Sequence, residues 1–484
     1  LQHGGDLGGA ARYAVQASAQ AYGALAYHQA VRLCRAALAT GKLGQADELL
    51  ISARLADSLV GAGHPKEAAE LYVALAERES PESAFNRRRQ AAKQFFISGH
   101  MQQGMQVLES LLPAARLSIP SSSLGLVASL IFYQLLVNAR GLEFHERTEA
   151  EVPPLDLLRI DTCEAIASSV GVNPLLAATF WTRLAWYALR AGEPRRIVLA
   201  LTSAAGLMSA FGASAARMQK LLDRALSLAE RLKDPYGIGR CIFMRGHIAH
   251  LQARWRESVA ELRRATGILK DECADSTALL DYIGIVEIMN LRWIGDLHEL
   301  AAKLQPYLKD AVERGRKSQE LMVRLNAGFL LLLGEDAPER AAEFVQAAQR
   351  RVEADMAIPY FCGIEAQLMV LMYQGRNQQA WQLLGQERRP IERSGVLRMD
   401  LFKTMWHCMS AMVALAAGQP VQLAEAEAQR LMRRRCASAR PMSRLILALV
   451  RRRQGRHAES LALLQQAEAG LDACDMGLHA ACVR

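Results

Sequence analysis

At 484 residues the chain is too long for one compact core, which leaves several globular domains or an elongated repeat array. Hydrophobic residues make up 51% but aromatics only 6%, in a background rich in Ala, Leu, Arg and Glu, so packed helices are expected and almost no strand. The net charge of +9 is a mild bias that does not single out nucleic acid, and with only ten Lys among 58 basic residues the Arg excess reads as a compositional trait.

The sequence begins at Leu1, without Met and in mid-pattern: Gly5 is followed five residues later by Ala10, a turn glycine and a small residue whose preceding helix is expected upstream. Leu25 and Ala30 repeat that spacing without the glycine. The clearest unit runs from Leu59 to Ala76. Here Gly63 can take the left-handed conformation that closes one helix, and Pro65 presets φ for the next. Ala68 lets the second helix approach closely, and Leu71, Tyr72 and Leu75 fill the seam at helical spacing. Gly99 and Gly104 repeat the pair. The turn-to-turn steps from Leu25 to Gly63 to Gly99 are 38 and 36 residues, slightly above the minimal tetratricopeptide unit.

The most apolar run, Leu124 to Val137, is shorter than the roughly 18 to 20 residues a bilayer span needs, so it is expected to be a buried helix. At residues 148–156 the adjacent Pro153 and Pro154 cannot lie inside a helix. They mark a connector between residues 1–147 and residues 157–484, each read as a set of tetratricopeptide-like repeats. Beyond it, Gly192 and Pro194 make a turn, Phe211 to Ser214 read as a loop, and Asp234-Pro235 opens a helix. Turns at 253, 295, 336, 375, 418 and 455 then follow at steps of 42, 41, 39, 43 and 37 residues. The sequence stops inside a helical pattern with no polar capping helix, so this end too is expected to continue. The fold class is therefore all-α, a tetratricopeptide-like α-solenoid, a right-handed superhelix of antiparallel helical hairpins.

Nine Cys occur singly with no C-x-x-C pair, which reads as reduced thiols packed in a cytoplasmic protein. No secretory signal is visible. The runs Arg87-Arg88-Arg89, Arg433-Arg434-Arg435 and Arg451-Arg452-Arg453 each point in three directions on a helix, as solvated surface does. Gly41-Lys42-Leu43 has Ala36 where a P-loop needs Gly and Leu43 where it needs a hydroxyl, so it is a hairpin turn. Gly4 to Gly9 is glycine-rich but follows no strand.

His247 and His250 share a helical face three residues apart, but no Glu or third ligand stands in register, so they read as surface or interface histidines rather than a metal centre. His407 and Cys408 diverge by about 100° on a helix and cannot act as base and nucleophile. Trp181, Trp186, Trp255, Trp293, Trp381 and Trp406 fall in separate repeats and are expected to pack between hairpins, with a groove residue among them as the minor alternative. No catalytic, cofactor-binding or metal-ligating residue is assigned.

In their order along the chain, several segments carry a likeness. Gly5-Asp6-Leu7 to Tyr13-Ala14, Ala24-Leu25-Ala26-Tyr27 and Arg32-Leu33-Cys34-Arg35 form the first group. Arg159-Ile160-Asp161-Thr162-Cys163, Ala188 to Pro194, Gly246 to Glu257 and Ala467 to Met476 form the second. Together they resemble the C-terminal tetratricopeptide region of large bacterial, myxobacterial-type serine/threonine protein kinases that carry a STAND/AAA ATPase module. The resemblance implies a regulatory, protein-interaction region without catalysis of its own, sensing a protein or small ligand and relaying it to upstream kinase and ATPase domains in cis. ATP and Mg²⁺ are implied only for those absent domains, and no nucleic acid or membrane partner is implied. The alternatives are the sensor array of a LuxR-like STAND transcription activator and a freestanding tetratricopeptide scaffold.

Overall fold

The computed structural model describes residues 7–167, 174–210, 215–273, 276–353 and 356–484. It divides into two compact units, one made of the residues up to Ser118 with Leu308–Glu320, the other of Ile119–Tyr307 with Leu321–Arg484. The first carries α1 (Leu7–Gly23), α2 (Tyr27–Ala39), α3 (Gln45–Gly61), α4 (Pro65–Ala76), α5 (Pro81–Ile97), α6 (Met101–Glu109) and α7 (Leu112–Ala115). The second opens with α8 (Ser123–Arg140), α9 (Pro154–Ala167), α10 (Pro174–Ala191), α11 (Pro194–Ala210), α12 (Ala215–Arg231), α13 (Pro235–Leu251), α14 (Trp255–Glu272) and α15 (Thr277–Ile294). It continues through α16 (Leu297–Glu313), α17 (Lys317–Val323), α18 (Phe329–Gly334), α19 (Pro338–Gln349), α20 (Ala357–Tyr373), α21 (Asn377–Ser394) and α22 (Asp400–Ala416). It closes with α23 (Val421–Met432), α24 (Ala439–Arg453), α25 (His457–Asp472) and α26 (Gly477–Val483), while the end of α16 and the start of α17 count with the first unit. Among the described residues there is no strand, and the architecture is all-α, of tetratricopeptide-like helical hairpins.

The turns fall where the spacing put them, because the backbone conformation that reverses a hairpin is left-handed whatever residue occupies it. Gly63, Gly99, Gly192, Gly295, Gly375, Gly418 and Gly455 all have positive φ, and so do Leu25, Ala253 and Asp336, the positions where the turn lacks glycine. Where a small residue stands five positions on, it is buried in the hairpin seam, as Ala30, Ala68, Ala341 and Ala380 show, whereas after Gly192, Gly295 and Gly418 that position holds Ile197, Leu300 and Leu423. Where Ser takes that place, its hydroxyl donates to a carbonyl of the preceding helix: Ser258 Oγ to Gly246 O at 2.7 Å and Ser460 Oγ to Ala448 O at 2.8 Å. Pro65, Pro194, Pro235 and Pro338 each open a helix, where a missing N–H costs nothing. The turns predicted at Gly5 and at Phe211 to Ser214 lie outside the described residues.

Residues 148–156 form a single 3₁₀ turn, Glu149–Glu151, held by Thr148 N–H donating to Glu151 Oε2 at 2.7 Å, before Pro154 starts α9. In the first unit the glycine at 63 has a second duty. A Cβ there would lie 2.3 Å from Glu313 O and 2.9 Å from Arg314 Cα, so the α3–α4 turn touches the end of α16 backbone to backbone.

One expectation fails. The apolar run at Leu124 to Val137 is not a buried helix: of the 18 residues of α8 only Leu126 is buried, while Leu124 is 83% exposed and Ile131, Phe132 and Leu135 are more than half exposed. The helix packs by one side on α10, through Tyr133 Oη to Tyr187 Oη at 3.2 Å and Arg183 Nη2 to Ser129 Oγ at 2.9 Å. The exposed residues follow one another at helical spacing on the opposite side. Hydrophobicity of the run as a whole hid this two-sidedness. Among the described residues α8 is also the one helix long and apolar enough, by length and composition, to cross a membrane.

Candidate functional site

The second unit returns upon itself. The backbone N–H of Ala437, ahead of α24, donates to Gln252 O in the α13–α14 turn at 3.1 Å, and Arg256 Nε lies 3.2 Å from Asp475 Oδ1. The turn after α15 takes α26 at close range, since a Cβ on Gly295 would sit 2.3 Å from Leu478 Cβ. Between these meeting points α15, α18, α20, α22, α24 and α26 surround a cavity of about 670 Å³.

Its wall is methionine-rich. Met369 and Met372 come from α20, Met405, Met409 and Met412 from α22, Met442 from α24, and Met476 stands at the entry of α26. Their spacings of three and four residues keep each set on one helical face. Thioethers on unbranched stems are polarizable and adaptable, so such a wall fits apolar guests of varied shape.

One side of the wall is a stack of rings. Trp255 lies parallel to Trp293, 5.6 Å between centroids and 13° between planes, and Trp293 stacks on His479 at 5.8 Å and 27°. The stack runs on behind the wall: His250 stands edge-on to Trp255 at 5.6 Å, with His247 next at 6.1 Å and Phe243 beyond it at 5.7 Å. His247 and His250 are thus rungs of a packed ladder, so of the two readings, surface or interface, the interface one describes them. A chain of hydrogen bonds fixes the tautomer of His250. Ser258 Oγ gives its proton to Gly246 O, so Asn290 Nδ2 donates to Ser258 Oγ at 2.8 Å, and Asn290 Oδ1 accepts from His250 Nδ1–H at 2.8 Å. Burial penalises the imidazolium, pushing His250 down to about 4, His247 to about 3 and His479 to about 4. Among the described residues no group of three His, Cys, Asp or Glu could hold a metal.

The charged element of the wall is neutralised internally. Arg292 Nη2 donates to Glu365 Oε1 at 2.7 Å and Nη1 to Glu365 Oε2 at 3.1 Å, with the two side chains 4% and 6% exposed. Nη1 also donates to Asn326 O at 2.8 Å, a carbonyl presented by a π-helical turn, Arg324–Gly328, and the guanidinium carbon lies 4.8 Å from the Trp293 centroid. The pair is therefore locked in place and leaves no net charge on the wall.

Cys408 lines the cavity, yet burial raises its thiol far above the usual range, and neighbouring His407 turns away to Glu427 Oε2 at 2.6 Å. Burial likewise lifts Cys163, Cys241 and Cys362 to about 12 and Cys436 to about 11, so these thiols are protonated packing groups. The Arg triplets disperse: Arg87 pairs with Glu79, Arg434 with Asp400 and Arg451 with Glu425. Of the six Trp, Trp255 and Trp293 reach the cavity. The methionine wall was not singled out from the sequence, although Met405, Met409 and Met412 repeat there at helical spacing. The Arg292–Glu365 pair joins residues 73 apart and has no local signal.

No protein-family model matches the chain, and no curated protein matches it. Among solved structures it is similar to the crystal structure of the APC/C hetero-tetramer Cut9–Hcn1, with a TM-score of 0.46 and 13% identity over 96% of this chain and 79% of that one. It is also similar to yeast Tom70, with a TM-score of 0.28 and 11% identity over 98% of this chain and 95% of that one. Neither likeness bears on the chemistry of the cavity.

Proposed function

We propose that this chain is the non-catalytic regulatory repeat region of a multidomain signalling serine/threonine protein kinase with a STAND-type ATPase module. It binds a protein or small ligand and passes its bound state to kinase and ATPase domains in cis. Support comes from the order of repeat segments between Gly5 and Met476 that resemble that family. The observation that carries the reading is the cavity of about 670 Å³, walled by helices from several successive hairpins, with paired charges and protonated thiols in place of a nucleophile and base. Such a site holds a guest without transforming it. Because one guest touches helices from α15 to α26 at once, a guest that prefers one spacing of these hairpins shifts the population toward it. In this reading ATP and Mg²⁺ belong to the flanking domains, and the protein works in the cytoplasm.

The test is the flanking reading frame together with phosphorylation assays on the longer protein. A P-loop and kinase motifs upstream, and autophosphorylation that changes when residues 1–484 are deleted, are the expected results. A helix-turn-helix downstream, or an upstream frame without either motif, overturns the reading.

A further inference from the structure

We propose that the methionine-walled cavity of the second unit binds a neutral, planar aromatic small molecule. The assignment deepens the regulatory reading and rests on it for its purpose, while its chemistry rests on the cavity alone. The volume of about 670 Å³ falls inside the roughly 300–1,000 Å³ range of small-molecule sites.

Charge is excluded first. The one charged pair on the cavity wall, Arg292 with Glu365, is bidentate and more than nine-tenths buried, with Asn326 O and the Trp293 face completing the guanidinium's surroundings. An anion or cation entering here would be desolvated with no unpaired counter-charge to meet it.

Shape and polarizability come next. Trp255, Trp293 and His479 form a parallel ring stack on one side, and thioethers supply much of the rest of the wall. Sulfur and ring faces both favour an aromatic guest, and a rigid flat guest loses less conformational freedom on binding than a flexible chain.

Trp255 backs this wall: it is 1% exposed, and its indole nitrogen is buried out of reach of the cavity. Beside it, the depressed basicity of His479 keeps that ring neutral at pH 7. The thiol of Cys408 is held protonated, so the guest is bound without a covalent bond.

The experiment titrates the 484-residue chain at pH 7.5 with Nile red, which is neutral and planar. Saturable binding of one equivalent in the micromolar range, with energy transfer from Trp, is expected. Met409→Lys places a charge in the cavity and should weaken binding more than tenfold. Phe132→Ser, on the exposed face of α8, should leave binding unchanged, and far-UV circular dichroism with thermal melts confirms that each variant folds. Non-saturable binding, wild-type affinity in folded Met409→Lys, or loss of binding in Phe132→Ser overturns the assignment. Dye binding with the expected variant pattern, but no effect of the region on phosphorylation by the longer protein, leaves the ligand class standing and removes the regulatory reading. The reverse pair of results does the opposite.

Discussion

Gly63 and Gly375 occupy the same place in two hairpin turns, with φ of 83° and 71°, yet replacing each by Ala should have unequal consequences. A Cβ in the left-handed region costs about 1–2 kcal/mol at either position, offset by about 0.4–1 kcal/mol because Ala also restricts the unfolded chain. At Gly375 nothing lies within 4 Å of the new methyl, so the net loss for Gly375→Ala is about 1 kcal/mol. At Gly63 the methyl would sit 2.3 Å from Glu313 O and 2.9 Å from Arg314 Cα. Both are backbone atoms, so relief requires moving the end of α16 away from the α3–α4 turn, an overpacking cost of about 1–3 kcal/mol more. Urea unfolding followed by far-UV circular dichroism compares the variants. Hydrogen exchange in α3, α4 and residues 308–320 localises the loss, since repeat arrays need not unfold in one step. Equal destabilisation of the two variants within about 0.5 kcal/mol, with no faster exchange at 308–320, would refute the close approach.

The converse holds where a turn lacks glycine: Leu25→Gly, at φ of 57°, removes left-handed strain from an exposed side chain and should raise stability by about 0.5–1 kcal/mol in the same unfolding assay. Arg292→Met strands the Glu365 carboxylate in the interior and should cost about 3–5 kcal/mol, whereas the double variant Arg292→Met/Glu365→Met should recover most of that, as thermal and urea unfolding will show. The neutral histidines make the chain acid-sensitive. A folded pKa below the unfolded value of about 6.5 means that the unfolded state takes up the proton first, so stability is full above pH 6.5 and falls as pH drops toward the folded pKa. His247, at about 3, should withdraw about 2 kcal/mol by pH 5. His247→Phe keeps the stack on Phe243 and removes a buried nitrogen without a partner, so it should be at least as stable as wild type at pH 7.5 and lose less on acidification.

The fold was legible because its information is local. A left-handed residue closing one helix is a pattern within a single turn, and it recurs even at Leu25 and Ala253, where the residue at the turn disfavours the conformation. What the sequence concealed is non-local. The run at Leu124 to Val137 is apolar on both sides of its helix, and only the packing of α10 along one side decides which half is covered. The sequence left His247 and His250 between a surface and an interface reading because the residues that bury them, Trp255, Asn290 and Tyr282, come from the next two helices. The cavity is the extreme case, since it exists only because residues near 437 and 478 return to turns near 252 and 295.

That return has a consequence for how a guest could be sensed. An open stack of hairpins lets each neighbour pair relax independently, but here the wall joins α15 directly to α20 through Arg292 and Glu365, and to α26 through Trp293 and His479. A guest wedged against the Trp255–Trp293–His479 stack therefore acts on a contact that closes the ring, where separation of α26 from α15 would open the whole cavity. The guanidinium is fixed by the Asn326 carbonyl of the π-turn as well as by Glu365, so motion at the ring contact reaches α18 and α20 through stiff, directional bonds. The shift a guest can impose is bounded by its preference between closed and open forms: turning a 1:99 mixture into 99:1 needs about 5.5 kcal/mol of differential affinity. In the proposed reading a guest held against the methionines of α20, α22 and α24 also presses on the Trp293–His479 contact, which makes the α15–α26 seam the place where such a preference would be expressed.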